Sequence, residues 1–206
     1  MQNKYKKLAE KVISVMNEKL ADLGKAPSYS YLEECADALG CDFNNGASRF
    51  AFIFHEEEIV FKFPFYYRTK IDYCEIELDH YEEAKQYGIE KILLPIYYMG
   101  ITAEGIPVYL QPMFTKAECD LHYYERDEID NKINVPKSFV DKVRRNCRDS
   151  FTPRTWTGRA IQIYGKKFMR KFERWTIECD VNDLHGGNVG YLNKQPVIID
   201  YAGYYG

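Results

Sequence analysis

Asn182-Asp183-Leu184-His185-Gly186-Gly187-Asn188-Val189-Gly190 is a glycine-rich stretch that holds an aspartate and an asparagine five residues apart. A short turn later, Val197-Ile198-Ile199-Asp200-Tyr201-Ala202-Gly203 runs as an apolar strand and delivers a second aspartate. Phosphoryl transfer uses this set of groups: a carboxylate to orient and deprotonate a hydroxyl, and oxygen ligands to hold Mg²⁺ on the phosphates. The plain alternative is a polar turn leading into a core strand, with Asp200 a strand-end residue.

The same chemistry has a second half upstream. Ile59-Val60-Phe61-Lys62-Phe63-Pro64 places one lysine inside an apolar strand, where an ammonium is costly unless an anion meets it. Glu75 and Glu77 follow on a predicted helix, 71–87, whose Ile76, Tyr81, Ala84 and Tyr87 recur at helical spacing. Before the strand, Gly46-Ala47-Ser48-Arg49-Phe50 is a small-residue turn able to bring backbone N–H groups near a phosphate.

The remaining elements read outward from these. Leu8, Val12, Met16, Leu20 and Leu23 predict a helix over 3–24, and 29–39 a second that Gly40 ends. Arg49–His55 and Glu58–Phe63 predict a hairpin that stops at Pro64. Strands follow at about 93–101 and 107–113, then a helix-rich half, then a strand-like run at Gln195–Asp200. Hairpin, helix, hairpin and helical block make an α+β, two-lobed pattern, not the alternation of a parallel sheet.

In order, the turn, strand lysine, helix glutamate, Asp-Leu-His-Gly-Gly-Asn loop and strand aspartate resemble the protein-kinase-like superfamily. The loop's form is similar to the aminoglycoside and choline kinase branch and to compact kinase-like proteins of bacteria and phages. The resemblance covers about residues 38–206. It implies a β-rich N-lobe over 38–113 and a short, mostly helical, truncated C-lobe over 114–206, with 1–37 a helical extension outside the pattern. It implies ATP and Mg²⁺ as cofactors. Asp183 would be the catalytic base, Asn188 and Asp200 the metal ligands, and Lys62 the contact to the phosphates, held by Glu77 with Glu75 as second choice. Gly46, Ala47 and Ser48 would line the phosphates, and the backbone of Gln111 and Met113 would meet adenine with Leu110 behind it as gatekeeper.

This chain departs from the pattern in four places. The turn keeps one glycine, Val181 stands two before the catalytic aspartate, and Tyr201-Ala202-Gly203 replaces Phe-Gly after Asp200. Six residues follow Asp200, so the usual peptide-holding segment is not expected. The resemblance therefore leaves three functions in view. A minimal protein Ser/Thr kinase comes first, a small-molecule kinase second, and a non-catalytic nucleotide-binding protein that docks a partner third.

Composition sets the outer limits. The chain has 206 residues, 46% apolar and 16% aromatic, including 18 Tyr, which excludes disorder and low complexity. Its net charge of −3 hides a local balance of +9 between Lys137 and Arg174, where 12 Lys and Arg face three acids. That block is either a solvated face or a dock for a protein partner or its phosphates. Its aromatics Trp156, Phe168, Phe172 and Trp175 fall at helical spacing, which points to core more than to nucleic-acid stacking. Neither a secretory leader nor a membrane span is expected. Six scattered cysteines read as free thiols of a cytoplasmic protein, with no close Cys or His pairs for zinc.

Overall fold

A computed structural model describes residues 2–21, 28–46, 48–64, 71–116, 154–181 and 183–203. The chain is α+β and divides into two compact units, residues 1–78 with 96–113, and residues 79–95 with 114–206.

In the first unit, a 3₁₀ turn at Gln2–Tyr5 leads into α1 (Lys6–Ala21). Ser28 then caps α2 (Tyr29–Leu39) by accepting the Tyr31 N–H at 3.3 Å. Gly40 ends α2 with φ 68°, a left-handed conformation that glycine adopts without strain. Five antiparallel strands follow in the spatial order β1-β2-β3-β5-β4. They are β1 (Asp42–Asn45), β2 (Arg49–Phe54), β3 (Ile59–Pro64), β4 (Tyr97–Ile101) and β5 (Pro107–Pro112). Helix α3 (Tyr73–Tyr87) lies between β3 and β4 in sequence and begins on Asp72, whose Oδ1 accepts the N–H groups of Cys74 and Glu75.

The strand period of two sorts the side chains into faces. Phe50, Phe52, Phe54, Ile59, Phe61, Phe63, Val108 and Leu110 form one core with Ala9, Val12, Met16, Leu32, Cys35 and Ala36 of the first two helices. A fully buried phenylalanine such as Phe52 or Phe61 contributes roughly 3–5 kcal/mol against truncation to alanine. So much aromatic surface cannot face water, and α1 and α2 cover it. The described residues of α1 and α2 are accordingly part of this core.

The two units divide between Met113 and Phe114, and at two further points. The division crosses α3 after Leu78, and 79–95 cluster with the second unit. The strand expected from residue 93 begins at Tyr97, because Leu93 bridges Ile198 and the Leu94 N–H donates to the Ile198 carbonyl at 2.8 Å.

The second unit contains a three-stranded antiparallel sheet, β6 (Thr115–Lys116), β7 (Val189–Leu192) and β8 (Gln195–Ile198). It also holds α4 (Arg154–Tyr164) and α5 (Lys166–Glu178), joined through Gly165 alone. Gly190 is required by contact: a Cβ there would stand 2.6 Å from the Thr115 carbonyl oxygen. Its own carbonyl accepts the Trp156 indole N–H at 3.0 Å. Trp156, Phe172 and Trp175 are buried and Phe168 half-buried, so three of the four rings serve packing. The part of the basic block over 137–153 lies outside the described residues. Among the described residues, no helix is long and apolar enough to cross a membrane.

Candidate functional site

Within the first unit the site begins with the register of β2 and β3. Ala51 stands opposite Lys62 and Arg49 opposite Pro64, which puts Arg49 and Lys62 on one face, away from α1 and α2. Glu77 of α3 meets both. Lys62 Nζ donates to Glu77 Oε2 at 2.8 Å, and Arg49 Nη1 to Glu77 Oε1 at 2.5 Å. The Glu77 side chain is fully buried, and its partners are only 12–13% exposed. A buried carboxylate is tolerable only when paired in this way. Glu75, one helical step away, is exposed.

Around the cluster the environment is dry. Tyr109, opposite Lys62, donates its hydroxyl to Asp72 Oδ2 at 2.9 Å. Burial first, and then the Asp72 charge, push its phenol well above the ordinary tyrosine range. Burial likewise pushes the Cys74 thiol far up, against the opposing pull of Lys62.

The expected phosphate turn and adenine contacts fall as follows. The Gly46 N–H donates to the Arg49 carbonyl at 2.8 Å and closes the β1–β2 hairpin. Ser48 is half-buried, and Ala47 lies outside the described residues. β5 runs on through Gln111 and Pro112, and the Met113 N–H donates to the Glu58 carbonyl at 2.8 Å. Leu110 does not take the gatekeeper place. It belongs to the core under α1 and α2, while Tyr109 and Gln111 share the Lys62 face.

In the second unit, the Asp183–Asn188 loop is held by its own groups. Asn188 Nδ2 donates to the Asp183 carbonyl at 2.7 Å and to Asp183 Oδ2 at 3.2 Å. His185 Nδ1 accepts the Gly187 N–H at 2.9 Å, and its Nε2 stands 3.7 Å from Asp183 Oδ1. That places His185 as an orienting side chain of the loop. The Asn188 carbonyl accepts the Ile199 N–H at 2.9 Å, which sets Asp200 directly beyond that bond.

Tyr201 is anchored at both ends. Its hydroxyl donates to the Leu94 carbonyl at 2.7 Å, and its own carbonyl accepts from His80 Nδ1 at 2.8 Å. The backbone that carries Asp200 is therefore fixed from one side by a fully buried ring. Asn188 and Asp200 supply hard oxygen donors. With Asn188 Nδ2 committed to Asp183, Oδ1 is the amide atom left to face a cation. Mg²⁺ takes one or two such protein ligands and completes its shell with phosphate and water, so these residues fit it. Among the described residues, no group of three or more His, Cys, Asp or Glu side chains could hold a metal without such help.

Sequence reasoning gave no role to three groups now seen here: Arg49, the His80–Tyr201 pair and the Gln111 side chain. The first had a readable signal, since hairpin register alone places Arg49 on the Lys62 face. His80 had none, because its partner is 121 residues away. Comparison with protein-family models, curated proteins and solved structures finds no match.

Proposed function

We propose that the chain is an ATP- and Mg²⁺-dependent phosphotransferase of the protein-kinase-like kind, with protein Ser or Thr hydroxyls as acceptors. The observation that carries this is the buried Lys62–Glu77 pair, which joins a strand lysine to a helix glutamate. Kinases need that pair in place before the lysine can hold the phosphates. The Asp183–Asn188 hydrogen bonds and the placement of Asp200 next to Asn188's partner support the same reading.

In this scheme Lys62 contacts phosphate oxygens, and Glu77 keeps its ammonium from folding elsewhere. Asp183 orients the acceptor hydroxyl and takes its proton. A Mg²⁺ ion held by Asn188 and Asp200 would neutralise charge on the phosphates. Catalysis is then chiefly positioning and charge stabilisation. The exposed Lys166, Lys167, Arg170, Lys171 and Arg174 on α5 favour a protein acceptor with acidic or phosphorylated surroundings.

The test is label transfer from γ-labelled ATP with Mg²⁺, alone, with cell lysate and with a panel of small hydroxylated acceptors. Transfer in the wild type that is lost in both Asp183→Ala and Asp200→Ala is the expected result. A melting shift with ATP but no transfer would instead assign a nucleotide-binding protein. Neither shift nor transfer would end the nucleotide reading.

A further inference from the structure

Gln111 presents a problem that packing alone does not solve. Its side chain is 2% exposed, yet Nε2 has no hydrogen-bond partner among the described residues. Buried amides are almost always paired, and an orphan of this kind calls for an acceptor supplied from elsewhere. Its position says what kind. Gln111 stands opposite Val60 and Tyr109 opposite Lys62, so Gln111 and Lys62 are diagonal neighbours on one face of the sheet. A ligand that puts an anionic group at Lys62 therefore brings its neighbouring atoms to the Gln111 amide.

The backbone there has little to offer. Met113 spends its N–H on Glu58, and Pro112 has none. By the alternation of an antiparallel ladder, the Gln111 N–H is directed at Val60. No backbone N–H of residues 111–113 is left to meet a base.

We infer that the Gln111 side-chain amide is the base-reading group of the nucleotide site, selecting adenine over guanine, an assignment that rests on the phosphotransferase reading above. An amide offers one donor and one acceptor side by side. Adenine presents the complement along its N7 and N6 edge: N7 accepts from Nε2 and the N6 amine donates to Oε1. Guanine presents two acceptors, N7 and O6, along the same edge, and sets O6 against Oε1.

The test is equilibrium binding of ATP, GTP and inorganic tripolyphosphate to the full chain, beside Gln111→Leu, Gln111→Met and Lys62→Ala. A bidentate contact is worth about a tenfold preference, so the wild type should bind ATP about tenfold tighter than GTP. Gln111→Leu and Gln111→Met should bring ATP down to the GTP level and leave tripolyphosphate binding unchanged. Neither should lower the melting temperature without ligand, because each replaces an unsatisfied amide by an apolar group of similar size. Wild-type preference retained in both variants would overturn the role of Gln111 and leave the phosphotransferase reading standing. Binding of neither nucleotide nor tripolyphosphate, or binding that Lys62→Ala does not weaken, would overturn both.

Discussion

Glu77 divides one carboxylate between two cations, and that sharing has a measurable asymmetry. Removing Glu77 leaves Arg49 and Lys62 side by side in a site that water barely reaches. Removing one partner of a buried ion pair costs ~3–5 kcal/mol, because the charge left behind is uncompensated. Removing Lys62 leaves Glu77 still bonded to Arg49. Urea unfolding should therefore show Glu77→Ala near the upper end of that range and Lys62→Met clearly less destabilised. Equal losses would mean that Arg49 does not share the carboxylate in solution. The lysine and the glutamate were legible as a pair because an ammonium inside an apolar strand has to be met by an anion. Arg49 was on the same page of sequence but looked like the end of a turn. Its role depends on which residue of β3 it faces, and no single-strand pattern contains that.

At the scale of elements, the hairpin that carries Asn188 toward Asp200 turns on two residues. Leu192 pairs with Gln195, and Asn193 and Lys194 between them have φ 50° and 65°. Both central residues at positive φ define a type I′ turn, which suits the twist of the flanking strands and favours Asn-Gly. Asn193 fits that preference, but Lys194 carries a Cβ into a conformation costing ~1 kcal/mol or more. Lys194→Gly should stabilise the chain by about 0.5–1 kcal/mol, part of the relief being returned as the unfolded-state entropy of glycine. A thermal or urea midpoint that does not rise would show the turn to be unstrained. The C-terminal strand was readable over Gln195–Asp200 and forms over Gln195–Ile198, but its partner β7 was not readable. Gly190 and the polar run before it made the segment look like loop, and the glycine is there only because β6 passes within contact of it. Helix α2 and the β2–β3 hairpin were legible nearly to the residue, because cap, period and turn all lie within the segment. The strand expected over 93–101 lost its first residues to Ile198, a partner no local pattern names.

At the scale of the whole chain, the surplus of tyrosine finds a use that composition could not supply. Tyr5, Tyr31, Tyr164 and Tyr201 each donate a hydroxyl to a backbone carbonyl, at Glu57, Met16, Lys91 with Pro196, and Leu94. Each bond joins segments at least 15 residues apart. Tyrosine does this where phenylalanine cannot, since its ring fills the core while its hydroxyl also reaches a backbone carbonyl of another segment. Such bonds exist only while the phenol keeps its proton. Burial pushes Tyr164 up to about 12, and it pushes Tyr31 further. Burial also lifts Cys41 to about 11, and burial with the Glu83 hydrogen bond lifts Cys179 to about 12. All four groups are acids whose folded pKa exceeds the ordinary value of ~8.5 for cysteine and ~10 for tyrosine. Between the two values the unfolded chain has released a proton that the folded chain still holds, so unfolding is favoured as pH rises. Their contribution is complete below pH ~8.5 and is lost progressively as pH climbs through 9 toward 12. Melting temperatures measured at pH 7, 8, 9, 10 and 11 should thus be level at first and then fall with increasing slope. Tyr164→Phe should reduce that slope only above pH ~10, where a phenol of ordinary pKa ionises in the unfolded chain. A melting temperature that stays level to pH 11 would mean that these side chains are open to water, and that the tyrosine bonds do not tie their segments together within each unit.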